Sequence, residues 1–227
     1  MNTILQEIAE SVITGRRTQV EGLVRQALEA GLSPQTVLAD GLIAAMSEVG
    51  SRFERGEFYV PEMLVAARAM QAGLGVLSPR LAEGSFQMRG KVVIGTVKGD
   101  LHDIGKNLVG MMLQGAGFEI IDLGTDVPPQ KFAEAARESR AGIIGMSALL
   151  TTTMRNMRSS IEALEDMGLR DKVKVIVGGA PLTDAFAREI GADGYAPDAS
   201  RAVALANRLV QGTYPSSPSS AAREGDS

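Results

Sequence analysis

The residues from Lys91 to Gln114 read KVVIGTVKGDLHDIGKNLVGMMLQ, and this stretch decides the fold. Its first seven residues, 91–97, form a short apolar run rich in β-branched side chains, which is typical of a strand buried on both faces. A polar, glycine-containing loop follows, and then a segment with the apolar spacing of a helix. A buried strand that leads through a polar loop into a helix is the repeating unit of a parallel sheet wrapped by helices.

The same alternation of short apolar runs and helical stretches continues downstream. Parallel neighbours in a sheet need long crossover connections, and helices usually provide them. The pattern therefore predicts an α/β domain with a Rossmann-like, more specifically flavodoxin-like, parallel sheet. We expect strands at 91–97, 119–123, 142–147, 173–178 and 194–196, and helices at 103–114, 129–140, 152–167, 184–190 and 199–211.

Upstream of the sheet the sequence predicts four amphipathic helices. Apolar residues recur at helical spacing, and glycine or proline residues interrupt the pattern between one helix and the next. Ser33 followed by Pro34 carries the signature of a helix start, and the last of the four is expected to stop at the Ser78-Pro79 pair. Four such helices with short connections are expected to form an antiparallel four-helix bundle.

The chain is therefore expected to have three parts. Residues 1–88 would form the four-helix bundle, and residues 89–213 would form the parallel-sheet domain after a linker around 83–89. Residues 214–227 would form a disordered tail, because the sequence from Pro215 onward has no aliphatic side chain larger than alanine.

The composition excludes several classes of functional site. The 227 residues include no Cys, no Trp and a single His, which excludes disulfides, thiol nucleophiles, iron–sulfur clusters and zinc sites of the usual Cys/His-rich kind. A formal net charge of −4 with scattered basic residues argues against nucleic-acid binding. The sequence shows no signal-peptide pattern and no apolar run long enough to span a bilayer, so we expect a cytoplasmic protein without a membrane partner.

The single histidine lies where a ligand is expected. Ligands of open parallel sheets bind at the carboxyl ends of the strands, and three loops of this chain, 98–105, 147–151 and 178–180, are expected at that edge. His102 is in the first loop, two residues after Asp100. A carboxylate at that spacing can hold one ring nitrogen as a donor and leave the other as a metal ligand. One imidazole suits the axial position of a metal that a macrocycle already surrounds.

The run from Gly99 to Asn107, GDLHDIGKN, resembles the D-x-H-x-x-G signature of cobalamin-binding domains. Residues 147–149 and the pair Gly178-Gly179 match the companion motifs of that family. Residues 53–61, FERGEFYVP, are similar to the cap of the cobalamin module of methionine synthase. The resemblance covers nearly the whole chain except the tail, and it points to the small corrinoid proteins of methanol and methylamine methyltransferase systems.

The resemblance implies a set of contacts with the cofactor. Cobalamin would bind base-off, with His102 as the cobalt ligand in place of the dimethylbenzimidazole base. Asp100 would accept the other ring N–H, and the Ser147 hydroxyl would donate to Asp100. A Cβ on the glycines of the nucleotide slot would collide with the flat base. The other implied cofactor-binding residues are Gly99, Leu101, Asp103 and Ile104 in the loop, Gly105, Leu149, Thr151, Gly178, Gly179 and Ala199 along the slot, and Phe53 and Val60 in the cap.

For function, the resemblance implies a corrinoid methyl carrier that has no catalytic residue of its own. It would accept a methyl group from a substrate-specific methyltransferase and pass it to a second methyltransferase that acts on a thiol or a tetrahydropterin. A reductive activase would restore the cobalt, and the cap would swing on a hinge near Gly84.

Three other interpretations stay open at this point. The chain could be a cobalamin-binding sensor, or the small subunit of an adenosylcobalamin-dependent mutase. Asp100 and Asp103 could instead form a magnesium or phosphoacceptor site, as in receiver-type α/β domains. That last interpretation leaves His102 and the paired glycines without a role.

Overall fold

The computed structural model describes residues 3–82 and 88–211. Within these ranges the chain folds into an N-terminal helical part and a parallel sheet with helices on both faces. The predicted tail at 214–227 and the predicted hinge near Gly84 lie outside the described residues. None of the described helices combines the length and the apolar character that a bilayer crossing requires.

The N-terminal part contains the four helical segments that the apolar periodicity predicts, and they form a four-helix bundle. They are α1 (Thr3–Ile13), α2 (Arg17–Glu29), a continuous rod made of α3 (Pro34–Thr36), a π-helical segment (Val37–Ile43) and α4 (Ala44–Glu54), and finally α5 (Val60–Ala82). The Ser33 hydroxyl accepts a hydrogen bond from the Thr36 amide at 3.1 Å, so the predicted cap is confirmed. The bundle core includes the fully buried side chains of Ile8, Leu38, Leu42, Met63, Met70 and Leu77.

One helix end differs from the prediction. The sequence pattern indicates a break at Ser78-Pro79, but α5 continues through Pro79 to Ala82. Proline weakens a helix by removing an N–H donor and by crowding the carbonyl four residues earlier. Here that cost falls in the last turn, two residues after Leu77, which is fully buried and anchors the helix in the bundle core.

Five parallel strands form one sheet in the order β2-β1-β3-β4-β5. The strands are β1 (Lys91–Thr96), β2 (Glu119–Asp122), β3 (Ile143–Ser147), β4 (Lys174–Gly178) and β5 (Gly194–Tyr195). The helices that follow them are α6 (Ile104–Gly115), α7 (Pro129–Ser139), α8 (Arg155–Asp166), α9 (Asp184–Glu189) and α10 (Ala199–Gln211). The predicted flavodoxin-like order is confirmed, and it reverses between β1 and β3, where a ligand crevice is expected.

Each face of the sheet has its own core. Phe132 is fully buried on the side of α7 and α8, and Phe118 is fully buried on the side of α6 and α10. The bundle packs against α6, since Leu108 and Met112 of that helix belong to the bundle core. A Cβ on Gly115 of α6 would lie 2.9 Å from Met46 Cγ, so the bundle and this helix are in close contact.

Candidate functional site

The histidine loop, residues 98–103, joins the end of β1 to the start of α6 at the carboxyl edge of the sheet. Its central feature is a contact between two side chains, with Asp100 Oδ1 and His102 Nδ1 2.7 Å apart. The same carboxylate oxygen accepts a hydrogen bond from the His102 backbone amide at 3.1 Å. The structure thus brings together the aspartate and the histidine that the sequence motif singles out.

The protonation state of this pair follows from its surroundings. Asp100 is completely buried, whereas the His102 side chain is about half exposed. Burial alone would raise the pKa of Asp100, but hydrogen bonds from His102 and from the amides of Leu149 and Leu150 hold that pKa well below its ordinary value of 3.8. Asp100 is therefore an anion at neutral pH and can only accept. In the neutral imidazole of His102 we therefore assign the ring proton to Nδ1, which leaves a lone pair on Nε2.

The hydroxyl that completes this network belongs to Thr153. Its buried Oγ1 lies 2.9 Å from Asp100 Oδ2 and 2.8 Å from the Leu150 carbonyl oxygen, and we assign its single hydrogen to the carboxylate because that acceptor is charged. The amides of Leu149 and Leu150 donate to the same oxygen at 2.8 and 3.1 Å. Within the described residues no hydrogen bond joins Ser147 to Asp100, so the hydroxyl expected from Ser147 comes instead from Thr153. Ser147 ends β3, and the turn after it carries Thr153 back over the carboxylate; a contact of Ser147 with the cofactor stays a prediction.

We expect Thr153→Val to lower the free energy of unfolding by about 1–2 kcal/mol, because it removes a hydrogen bond to a buried charge while keeping the side-chain shape. Thr153→Ser should stay close to the parent. Ser147→Ala is the matched control at the position that lacks the contact. Guanidinium denaturation of the four proteins measures the difference, and equal losses from Thr153→Val and Ser147→Ala would contradict the assignment.

Other side chains outside the recognised motif hold the histidine loop from neighbouring elements. Thr96 donates its hydroxyl hydrogen to the His102 carbonyl at 2.8 Å, and Asn156 donates its amide hydrogen to the Lys98 carbonyl at 2.7 Å. Asp126, in the β2–α7 connection, accepts a hydrogen bond from a backbone amide of the histidine loop. Sequence reasoning missed all three, because each is a single polar residue whose spacing carries no signal.

The glycines predicted to line the slot are of two kinds. A Cβ on Gly179, where φ is +136°, would lie 1.9 Å from the Ala148 carbonyl oxygen, and one on Gly178 would lie 2.9 Å from the Ala196 carbonyl oxygen. The packing of the protein's own backbone therefore already requires glycine at both positions. A Cβ on Gly105, by contrast, meets no atom within 4 Å. The space beside the first turn of α6 is open to a ligand.

Exposed aliphatic side chains occur in the histidine loop, at the start of α6 and in the loop whose amides bind Asp100. We call Leu101, Ile104, Leu149 and Leu150 the apolar collar. Leu101 and Ile104 are 73% and 78% exposed, and Leu149 and Leu150 are 43% and 42% exposed. Several large exposed apolar side chains in two neighbouring loops are typical of an interaction site. The collar and the Nε2 lone pair together suit a large, mostly apolar ligand that brings its own metal.

Two other predicted residues, Phe53 and Ala199, lie at or directly beside a cleft at the same edge of the sheet. The cleft, of about 340 Å³, separates the end of α4 from the start of α10, the helix that follows β5. Ala199, at the first position of α10, is buried against the bundle core, whereas Val60 at the start of α5 is partly exposed. Their contacts with a cofactor stay predictions, as does that of Phe53. The cleft is lined by Phe53, Glu54, Asp198 and Arg201.

The donor set fits a metal that needs only one ligand from the protein. Among the described residues no three His, Asp or Glu side chains come together in a group that could hold a metal ion. Asp100 accepts five hydrogen bonds and is fully buried, which leaves it no free lone pair for magnesium or a phosphoryl group. His102 Nε2 is suited to be the single axial ligand of a metal held in a macrocycle.

Comparison with known proteins agrees with this geometry. Two family models, each described as a B12 binding domain, match residues 4–78 and 90–204. The chain is 49% identical over 208 residues to the dimethylamine corrinoid protein of Methanosarcina barkeri, covering 91% of this chain and 97% of that protein. The chain belongs to the B12-binding corrinoid proteins. This corrinoid protein is also 42% identical over 211 residues to a corrinoid protein of Desulfitobacterium hafniense, covering 92% and 98% of the two chains.

Solved structures share the same architecture. The methanol:cobalamin methyltransferase complex MtaBC from Methanosarcina barkeri matches with a TM-score of 0.84 and 27% identity, over 93% of this chain and 81% of that chain. A cobalamin-binding protein from Desulfitobacterium hafniense DCB-2 matches with a TM-score of 0.75 and 31% identity, over 90% and 98% of the two chains. The predicted fold class and the predicted cofactor, cobalamin, are confirmed for this corrinoid protein.

Proposed function

We propose that this corrinoid protein binds cobalamin with His102 as the cobalt ligand and carries a methyl group between two methyltransferases. The observation that carries the proposal is the contact of His102 Nδ1 with the buried Asp100 anion, which orients the imidazole in the loop that also carries Leu101 of the apolar collar. The cofactor, when bound, supplies the methyl-transfer chemistry. The chain supplies a ligand, its orientation and a binding surface.

Each part of the site has a task in this function. Asp100 holds the imidazole of His102 in the Nδ1–H form and raises the basicity of Nε2 by attracting the ring proton. The amides of Leu149 and Leu150 and the hydroxyl of Thr153 stabilise the negative charge of Asp100, so the carboxylate keeps its role in spite of complete burial. The apolar collar offers a nonpolar contact to a flat ring system.

The proposal implies methyltransferase partners, and the match to the MtaBC complex supports such a partner. We assign the donor side to a substrate-specific methyltransferase and the acceptor side to a second one that methylates a thiol or a tetrahydropterin. A reductive activase is needed because cobalt that becomes oxidised must be reduced before the next transfer. The relatives are named corrinoid proteins, which favours the carrier over the sensor. The bundle matches a B12-binding model of its own, which disfavours a mutase small subunit.

The ligand assignment is tested by absorption spectroscopy of the protein reconstituted with methylcobalamin. The parent should show the base-off spectrum with a histidine ligand, and His102→Ala should show the base-off spectrum without a nitrogen ligand. Lys98→Ala is the matched control, because Lys98 is an exposed residue of the same loop. Identical spectra for the parent and His102→Ala, or no binding by the parent, would falsify the assignment.

The carrier role needs a second assay. For this assay the protein is reconstituted with aquacobalamin and reduced to the cobalt(I) state with a chemical reductant, because a methyl group is transferred as a cation equivalent and needs the electron pair of cobalt(I). It is then incubated with a methylamine-specific methyltransferase and monomethylamine, dimethylamine or trimethylamine, and methylation of the cofactor is followed by its absorption. Seven relatives named dimethylamine corrinoid proteins, 46–54% identical, support dimethylamine as the methyl source. A cofactor that none of the three amines methylates, or that is methylated equally well without the methyltransferase, would contradict the carrier role and leave the ligand assignment intact.

A further inference from the structure

The loop between β2 and α7 lies against the histidine loop in an unusual backbone conformation. Among the described non-glycine residues only Asp126 and Arg140 have positive φ, at 54° and 56°. This conformation costs a non-glycine residue about 1 kcal/mol or more, so it persists where the surroundings impose it. Arg140 directly follows α7, and a residue in the left-handed backbone conformation often ends a helix. Asp126 ends no helix, so its conformation has another cause.

That cause is a pair of hydrogen bonds to the histidine loop. Asp126 Oδ1 accepts a hydrogen bond from the Gly99 amide at 2.7 Å. The Asp126 amide donates to the Asp100 carbonyl at 3.0 Å. The side chain and the backbone of one residue therefore hold both ends of the Gly99-Asp100 segment, which immediately precedes Leu101 and His102.

The β2–α7 loop is itself anchored on two sides. The Gly124 carbonyl accepts a hydrogen bond from the Thr96 amide at 2.9 Å, and the Val127 amide donates one to the Thr96 carbonyl at 3.0 Å. These two hydrogen bonds connect the loop to β1. The buried Lys106 of α6 donates a hydrogen bond to Asp122 Oδ2 at 2.5 Å. The other oxygen of the same carboxylate, Asp122 Oδ1, accepts a hydrogen bond from the Gly124 amide at 2.9 Å. The helix that follows His102 is thereby joined to the loop that holds the residues before it.

We propose that Asp126 is a positioning residue for His102, because it fixes the Gly99-Asp100 backbone so that the Asp100 carboxylate meets His102 Nδ1. Asp126 acts through the backbone of the histidine loop and forms no hydrogen bond with the imidazole. Only the final step, the presentation of Nε2 to cobalt, rests on the proposed function.

Three variants separate the hydrogen bond from the backbone conformation. Asp126→Gly accepts positive φ without strain but removes the side-chain acceptor. Asp126→Asn keeps an acceptor oxygen and tolerates positive φ, so it should rescue the parent behaviour. Arg140→Gly is the matched control, because it relaxes the same backbone conformation at the end of α7, outside the site.

The first readout uses the protein without cofactor. The chain contains one histidine, so the ¹⁵N signals of its imidazole are assigned without ambiguity in a sample that carries no histidine tag. The parent, Asp126→Asn and Arg140→Gly should show the Nδ1–H tautomer, whereas Asp126→Gly should show averaging between tautomers. Parent-like imidazole signals in folded Asp126→Gly would overturn the proposal. If Asp126→Gly does not fold, Asp126→Glu takes its place, because it moves the carboxylate by one methylene. Averaging between tautomers in Asp126→Glu would then support the proposal, and parent-like imidazole signals would overturn it.

The second readout is the binding of aquacobalamin. We expect Asp126→Gly to bind about tenfold more weakly than the parent and with a smaller fraction of histidine-ligated cobalt, and Asp126→Asn to bind within about twofold. If the parent itself does not bind, the proposed function fails while the imidazole signals still decide the role of Asp126. If the parent binds and Asp126→Gly matches it in both readouts, only the positioning role fails.

Discussion

Gly179→Ala is expected to lower the free energy of unfolding by about 3 kcal/mol or more, which is the largest effect on stability that we expect from a single methyl group in this protein. The new Cβ would lie 1.9 Å from the Ala148 carbonyl oxygen, at a φ of +136° that alanine strongly disfavours. Ala148 immediately precedes Leu149 and Leu150, whose amides hold Asp100. Relief of the clash therefore displaces the donors of the buried carboxylate.

Gly105→Ala is the matched control. Gly105 is in the first turn of α6, and no atom lies within 4 Å of the position that an added methyl group would take. Alanine there should leave the stability unchanged or raise it by up to about 1 kcal/mol. The same methyl group should weaken cobalamin binding if the ligand occupies this space. Urea denaturation measures both stabilities, and a loss below about 1 kcal/mol for Gly179→Ala would contradict the described contact between the two loops.

Asp100→Asn is expected to abolish the histidine ligation of cobalt while leaving His102 in place. Two amides and the Thr153 hydroxyl donate to Oδ2, so the asparagine oxygen takes that position and its NH₂ group faces His102. Nδ1 must then accept, which moves the ring proton to Nε2 and removes the lone pair. The His102 amide also loses its acceptor, and we expect a loss of stability of about 3 kcal/mol. A histidine-ligated spectrum in Asp100→Asn would contradict this account.

The stability that Asp100 provides should depend on pH. Its pKa in the folded protein lies well below 3.8, the ordinary value that describes the unfolded chain. In acid the unfolded state therefore binds more protons than the folded state, and the contribution is full above about pH 5 and is lost progressively below about pH 4. The difference in unfolding free energy between the parent and Asp100→Asn should shrink over that range. A difference that stays constant from neutral pH to about pH 3 would contradict the lowered pKa.

The fold and the location of the ligand edge could be predicted from the sequence because they depend on local patterns. Strand, loop and helix alternate along the chain, and the only histidine follows the first strand at the edge where parallel sheets bind ligands. Asp100 and His102 are two residues apart, so their contact was also within reach of local reasoning. The stop expected at Pro79 failed because burial of Leu77 outweighs the local preference of proline.

The remaining partners of the site could not be predicted, because they are distant in the sequence. Thr153 reaches Asp100 from 53 positions away, and Asp126 reaches Gly99 from 27 positions away. The motif drew attention to Ser147, but the threonine run at 151–153 was the more informative signal. The helix α8 starts shortly after this run without a side-chain cap, so a threonine hydroxyl there is not used to cap the helix. A sequence also does not tell whether a glycine is required by a ligand or by a neighbouring carbonyl.

Helix α6 has a consequence for any movement of the bundle relative to the sheet. The helix begins beside His102, and its later turns place Leu108 and Met112 in the bundle core, where Gly115 contacts Met46. Separating the two parts would expose these side chains to water, which costs a free energy of roughly 2 kcal/mol for each large apolar side chain. The docked arrangement therefore dominates the conformational equilibrium of the free protein, and a partner that separates the two parts must cover the apolar surfaces that it uncovers.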